Sequence, residues 1–357
     1  MKEIVDFVDI SKYAGERFDL IQAGGGNSSV KLENGEMIIK ASGFILSDMA
    51  ENKGYSRVDI KKTVKIATTE SVIKENDKRK RESIAANLIK EATLDKKNRP
   101  SIETLLHSFL YKYTLHTHPI VVNMVVMQKD WREILSTIFQ NEDIALIKYK
   151  TPGIELALEL HTNLQSFEVT PNIIFLQNHG LIITSSNKDD IRKLTESVLQ
   201  KIESYLEIDM SKFKLPNDIS SLVRLVEKDS KLIAYQSEDK YLNNTLSNNP
   251  SLYSKTPFCP DSLVFCGVSP VEIENIMDVE PIRKYKEKFY EMPKILLFQK
   301  KVFFLAENIR KAKEMEEVMK FHIFVLEKTI NKNNNFLELD ELAYLSNWEA
   351  EKFRQKI

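Results

Sequence analysis

Cysteine is scarce in this chain: its 357 residues include only Cys259 and Cys266. A disulfide framework therefore cannot organise the fold, and free thiols are expected in a reducing compartment. No long apolar run is present. The opening stretch, MKEIVDFVDI, carries acids where a secretory leader carries bases. Neither a signal peptide nor a membrane span is expected, and a cytoplasmic protein without membrane contact follows. A surplus of one charge is missing too. Lys and Arg total 51 against 52 Asp and Glu, a net charge of −1, so no global field draws the chain to nucleic acid or anionic lipid. The one basic cluster, KENDKRKRES from Lys74, is interleaved with acids and reads as a solvated, helical or mobile segment. No nucleic-acid partner is expected, and no internal repeat is visible.

Apolar material is plentiful. Hydrophobic residues make up 42% and charged residues 29%, an ordinary globular balance with enough for a sizeable core. The length exceeds what one core usually covers, so a larger and a smaller domain are expected. Asn34-Gly35 between SSVKLE and EMIIKA predicts a hairpin over residues 27–41, because both turn positions tolerate φ > 0. Residues 67–94 carry a helical pattern. Pro100-Ser101 opens a further helix, IETLLHSFLYKY, with Ser101 as its cap. TLHTHP reads as a strand ended by Pro119, and IIFLQ (173–177) and LIIT (181–184) as two more, with Asn178-His179-Gly180 between them. Residues 189–207 form an amphipathic helix. The pattern breaks at KFKLPND, which places a boundary between a domain at 1–212 and an extension at 213–357. In the extension, KILLFQKKVFFLAE (294–307) predicts a hairpin, followed by helices from about Asn308 to Asn331 and from about Asp340 onward. Alternating strands and helices up to about residue 210 indicate an α/β layer fold, and the extension reads as α+β.

Six histidines occur. His116 and His118 are two apart, and on a strand that spacing puts both imidazoles on one face. A third imidazole would complete a three-His site with an open position, as in catalytic zinc centres. His179 is the candidate, in a tight turn where Gly180 allows an unusual backbone and close approach. His107, His161 and His322 fall on predicted helices and read as structural. Glu103, in the first turn of the Pro100-Ser101 helix, can act as general acid/base beside a metal or simply favour the helix dipole. Gly24-Gly25-Gly26-Asn27-Ser28-Ser29 offers backbone and side-chain donors to an anion, and Ser42-Gly43 offers another pair. The first stretch matches neither the dinucleotide fingerprint nor a Walker loop.

Together GGGNSSVK (24–31), KASG (40–43), RPSIETLLH (99–107), LHTHP (115–119), YKTPGIELA (149–157) and LQNHGLII (176–183) resemble the class II aldolase/adducin family in content, order and spacing. The resemblance implies a central β-sheet covered by helices. It implies Zn²⁺, or another divalent transition metal, on His116, His118 and His179, with Glu103 as catalytic acid/base. It places the substrate phosphate at Gly26, Asn27, Ser42, Gly43 and Ser101. Aldol cleavage or formation of a C–C bond in a sugar or sugar phosphate, through a metal-stabilised enediolate, is the implied reaction. Pentose-phosphate 4-epimerisation and 3-oxo sugar-acid decarboxylation use the same site, and adducin-like members are non-catalytic interaction proteins without the intact triad. Homotetramers with active sites near subunit boundaries are typical, and in some relatives a neighbouring subunit supplies a tyrosine. PSIETLLH and YKTPG resemble most a separate branch of the family, which is also similar to the aldolase half of bifunctional aldolase–dehydrogenases, and FCPDSLVFCG (258–267) and WEAEKFR (348–354) resemble the C-terminal extension of that branch. No dinucleotide-binding pattern follows, so dehydrogenase activity is not expected. Two departures stand out: Thr184-Ser185-Ser186 where many members have a glycine, and Ile102 where the family has a serine, leaving only a backbone N–H for a phosphate.

Overall fold

The structure is a computed structural model that describes residues 2–338 other than 96 and 229. The helix expected from about Asp340, and the WEAEKFR stretch, lie outside the described residues. The chain divides into two compact units, Met1–Phe213 and Lys214–Ile357. No described helix is long and apolar enough to cross a membrane.

The first unit is built on a seven-stranded sheet. Its strands are β1 (Asn27–Lys31), β2 (Glu36–Lys40), β3 (Tyr55–Asp59), β4 (Tyr113–Thr117), β5 (Ile144–Ile147), β6 (Ile173–Leu176) and β7 (Gly180–Ser185). The order is β3-β2-β1-β4-β7-β6-β5. All neighbours are antiparallel except β5 and β6, whose connection carries the helix Ile154–Leu164, as a parallel crossover requires. Every residue of β4, β6 and β7 is buried, which is why β6 and the start of β7 read as apolar runs rather than alternating ones.

Period-2 alternation sorts the side chains between two cores. Tyr113, Leu115, Phe175, Leu181 and Ile183 join the core formed with helices Lys2–Gly15, Ile120–Val126 and Lys188–Leu206. Ile174, Leu176 and Ile182 join the core formed with Lys78–Ala92, Thr104–Ser108 and Ile154–Leu164. The unit is thus a mixed α/β sheet covered by helices on both faces.

Two helix expectations need correction. The pattern over 67–94 is two helices, Glu70–Ile73 and Lys78–Ala92, because Asp77 accepts the Lys80 N–H and starts a new helix. The helix after Pro100 spans only Thr104–Ser108. Beyond it the Lys112 carbonyl already accepts the Lys31 N–H at 2.9 Å, so sheet pairing takes over from the helix. Ser101 is not its cap: Glu103 occupies that position, and the Ser101 hydroxyl accepts the Glu103 N–H at 3.2 Å.

The second unit is a smaller α+β body with a four-stranded sheet, β8 (Ile233–Gln236), β9 (Val271–Glu272), β10 (Ile295–Phe298) and β11 (Lys301–Ala306), in the order β8-β11-β10-β9. The β10–β11 hairpin turns through Gln299 (φ 49°) and Lys300 (φ 57°), both left-handed, a primed turn made without glycine. Ile295, Leu297, Val302 and Phe304 enter one core, and Leu296, Phe298, Phe303 and Leu305 the other. The helix Ile309–Lys328 packs into the first of these. Cys259 and Cys266 are free thiols.

Candidate metal and acid–base site

The sheet register assembles the site. Asn27 of β1 lies directly across from His116 of β4, and His116 lies across from Ile182 of β7. His118 follows just past the end of β4, where its N–H donates to the Leu20 carbonyl at 2.9 Å. His179 sits in the turn between β6 and β7. The unusual backbone of that turn is at Asn178 (φ 52°), not at Gly180. Gly180 serves close approach instead: a Cβ there would meet the Thr117 carbonyl oxygen at 2.3 Å and His118 at 3.1 Å.

The three imidazoles converge. Ring centroids are 5.0 Å apart for His116 and His118, 4.8 Å for His116 and His179, and 5.0 Å for His118 and His179. Each can offer a nitrogen within 4.8 Å of the others. Glu103 closes the group, with Oε2 at 3.1 Å from His116 Nδ1 and Oε1 at 3.3 Å from His179 Nε2. Asn27 Nδ2 donates to the same Oε2. The Ser101 backbone carbonyl accepts the Thr104 hydroxyl at 2.6 Å, which fixes the turn that carries Glu103.

Burial sets the electrostatics. It pushes the imidazoles of His118 down to about 3 and His179 down to about 4, reinforced by the neighbouring His116. Burial alone would raise the Glu103 carboxyl, but the facing histidines, His116 first, hold it well below the usual carboxylate range. The result is a pair of neutral imidazoles beside an ionised carboxylate. His116 Nε2, His118 Nε2 and His179 Nδ1 are buried and have no hydrogen-bond partner. Buried imidazole nitrogens without a partner are unfavourable unless something fills them, and borderline divalent metals prefer imidazole donors. The residues present therefore fit a metal ion.

The glycine-rich stretch meets a demand for space. A Cβ on Gly25 would come within 2.8 Å of His118 Nδ1, and one on Gly26 within 2.7 Å of the His116 carbonyl oxygen. Gly26 also has φ +67°. Ser42 and Gly43 stand elsewhere: the Ser42 N–H donates to the Arg99 carbonyl at 2.8 Å and Ala41 bridges Pro100, which sets the pair beside Ser101. Both are exposed, whereas Ser101 is buried. Ile102 is 46% exposed.

Two further titratable side chains are buried near the cluster, Lys40, which sequence reasoning did not single out, and His107, which it read as structural. Lys40 is buried, its Nζ 3.3 Å from the Gly24 carbonyl, and burial lowers its pKa against the pull of Glu103. A lysine closing the apolar strand EMIIK was its only signal. His107 is fully buried, with Nδ1 2.8 Å from Ser29 Oγ, and burial together with His116 depresses it to about 3. His161 packs against Phe109 with the rings tilted by 34°, and His322 lies in the second unit, so neither joins the cluster.

Comparison with known proteins identifies the family. The family model described as Class II Aldolase and Adducin N-terminal domain matches residues 6–206. The chain belongs to that family. A curated relative from Bacillus subtilis (strain 168), named uncharacterized oxidoreductase YuxG, is 24% identical over 313 residues, covering 79% of this chain and 44% of that protein. The chain thus spans less than half the length of this relative. Among solved structures, the N-terminal class II aldolase domain of a conserved Thermoplasma acidophilum protein is 22% identical, with a TM-score of 0.49 over 57% of this chain and 93% of that one. YgbL from Klebsiella pneumoniae, titled a putative aldolase/epimerase/decarboxylase, is 15% identical with a TM-score of 0.43, over 58% and 89%. A structure titled L-fuculose 1-phosphate aldolase is 16% identical with a TM-score of 0.41, over 60% and 93%.

Proposed function

We propose that this chain is a metal-dependent lyase that cleaves or forms a C–C bond in a sugar or sugar phosphate. The observation that carries the proposal is the Glu103 carboxylate lying against His116 and His179, beside three buried imidazole nitrogens with no partner. His116, His118 and His179 would hold the ion, with zinc the best match to three imidazoles. A divalent cation held there supplies Lewis-acid stabilisation of the negative charge that C–C cleavage leaves on the substrate oxygens. Glu103, kept ionised, takes a proton from the substrate carbon in one direction and returns it in the other. Asn27 holds that carboxylate in place through its amide N–H. Gly26, Asn27, Ser42, Gly43 and Ser101 receive the substrate's anionic end, with Ile102 contributing only its N–H.

The intact donor set favours an enzyme over an adducin-like interaction protein. A homotetramer in the cytoplasm, without nucleic-acid or membrane partners, belongs to the same proposal. The deciding experiment is metal content by plasma mass spectrometry on chelator-free protein, beside the His116→Ala/His179→Ala variant. About one transition-metal ion per chain, lost in the variant, is expected. Wild-type protein that stays metal-free after reconstitution would overturn the proposal. Product analysis by NMR on sugar phosphates and sugar acids then separates aldol cleavage from epimerisation and decarboxylation.

A further inference from the structure

The second unit holds a cavity of about 340 Å³, within the range of small-molecule pockets. Its walls are mainly apolar, with Val264 and Phe265 from helix Pro260–Cys266, Leu305 from β11 and Met315 from helix Ile309–Lys328. Five charged residues line it. Three are engaged with neighbours: Lys311 faces Glu307 at 3.7 Å, and Glu314 accepts from Arg310 at 3.2 Å. The other two are Glu291 and Lys294, on either side of Met292-Pro293 at the entrance to β10.

Glu291 and Lys294 attract each other but form no ion pair. Lys294 Nζ donates to the Val264 carbonyl, which leaves it two further N–H groups. Among the described residues, the Glu291 carboxylate has no hydrogen-bond partner. Burial raises its pKa and lowers that of Lys294, as expected for charges set in an apolar wall. Glu291 and Lys294 thus bring one charge of each sign to a mainly apolar pocket without pairing with each other, and an occupant that carries both opposite charges can meet each of them.

We propose that this cavity binds a small zwitterion with an apolar body, namely an α-amino acid with an aliphatic or aromatic side chain. Its ammonium group donates to Glu291, its carboxylate accepts from Lys294, and its side chain packs among Val264, Leu305 and Met315. The bridge requires both charges on one ligand, because a simple anion faces Glu291 and a simple amine faces Lys294.

Isothermal titration of the full chain with L-leucine, L-isoleucine, L-methionine and L-phenylalanine tests this, with 3-methylbutylamine and 2-hydroxy-4-methylpentanoate as comparators. At least one amino acid is expected to bind saturably, and both comparators about tenfold or more weaker than L-leucine. Glu291→Gln and Lys294→Met should each weaken amino-acid binding about tenfold. Methyl NMR signals of Met292 and Met315 should shift in the wild-type chain, a readout that needs no substitution. Absence of binding across the panel, binding unchanged in both variants, unmoved Met292 and Met315 signals, or equal binding of either comparator would overturn the proposal.

Discussion

Glu103 and His116 meet at 3.1 Å although 13 residues and a change from helix cap to strand separate them. Ser101 makes the meeting possible by accepting the Glu103 N–H, which turns the carboxylate toward the sheet. Glu103→Gln keeps the shape but removes the proton carrier. Turnover of an identified substrate should fall about 10²- to 10⁴-fold, while metal content stays at the wild-type level. Full turnover in this variant would show that another group moves the proton.

Gly26 and Gly35 both have positive φ, +67° and +85°, but only Gly26 is crowded. A Cβ on Gly26 would lie 2.3 Å from Ile21 Cδ1 and 2.7 Å from the His116 carbonyl, whereas Gly35 has nothing within 4 Å. Gly35→Ala should cost about 1 kcal/mol from backbone strain alone, and Gly26→Ala about 3 kcal/mol or more. Urea unfolding of the two variants makes the comparison, and equal losses would refute the steric account.

Arg17 is buried with its guanidinium against Asp19, the Nε bond measuring 3.0 Å, and it also reaches Glu196 and the Tyr13 hydroxyl. Arg17→Met leaves Asp19 as a buried, uncompensated charge, and a loss of about 3–5 kcal/mol is expected. Adding Asp19→Asn should restore part of it. A double variant no more stable than the single one would argue that Asp19 finds water instead.

His322 is buried, stacked on Phe258, with Nδ1 3.1 Å from Ser262 Oγ. Burial pushes it down to about 4 from the ordinary 6.5. Between those values the unfolded chain binds a proton that the folded chain does not. Its contribution is therefore intact above pH 6.5, shrinks as pH falls by at most about 1.4 kcal/mol per unit, and levels off below about pH 4. The other depressed imidazoles add in the same direction, so the difference between wild type and His322→Phe isolates this one. Unfolding curves at pH 7 and pH 5 should show the variant losing less stability, and parallel losses would contradict the assignment.

How much of this was legible in the sequence depends on the range of the interactions. The 27–41 and 294–307 hairpins and the helix after Asn187 are dictated by turn residues, alternation and caps acting over a few residues. The H-x-H spacing likewise brings the two imidazoles close together, His116 from β4 and His118 from just past its end. The split at Asp77 was a local signal, but a single capping carboxylate inside a charged run has little contrast against its neighbours. The short helix at Thr104–Ser108 was not legible, because pairing with β1, far away in sequence, ends it.

The sequence by itself determined the family, the sheet strands around the histidines and the residue types available to hold a metal, because period and spacing are properties of the chain. Only the tertiary structure decided that Asn27 stands opposite His116, that His179 folds back to the H-x-H pair, that Gly25 and Gly180 yield their Cβ space to His118, and that Lys40 and His107 are buried beside them. Those relations depend on strand order and on close packing between segments distant in sequence, and no local propensity encodes either.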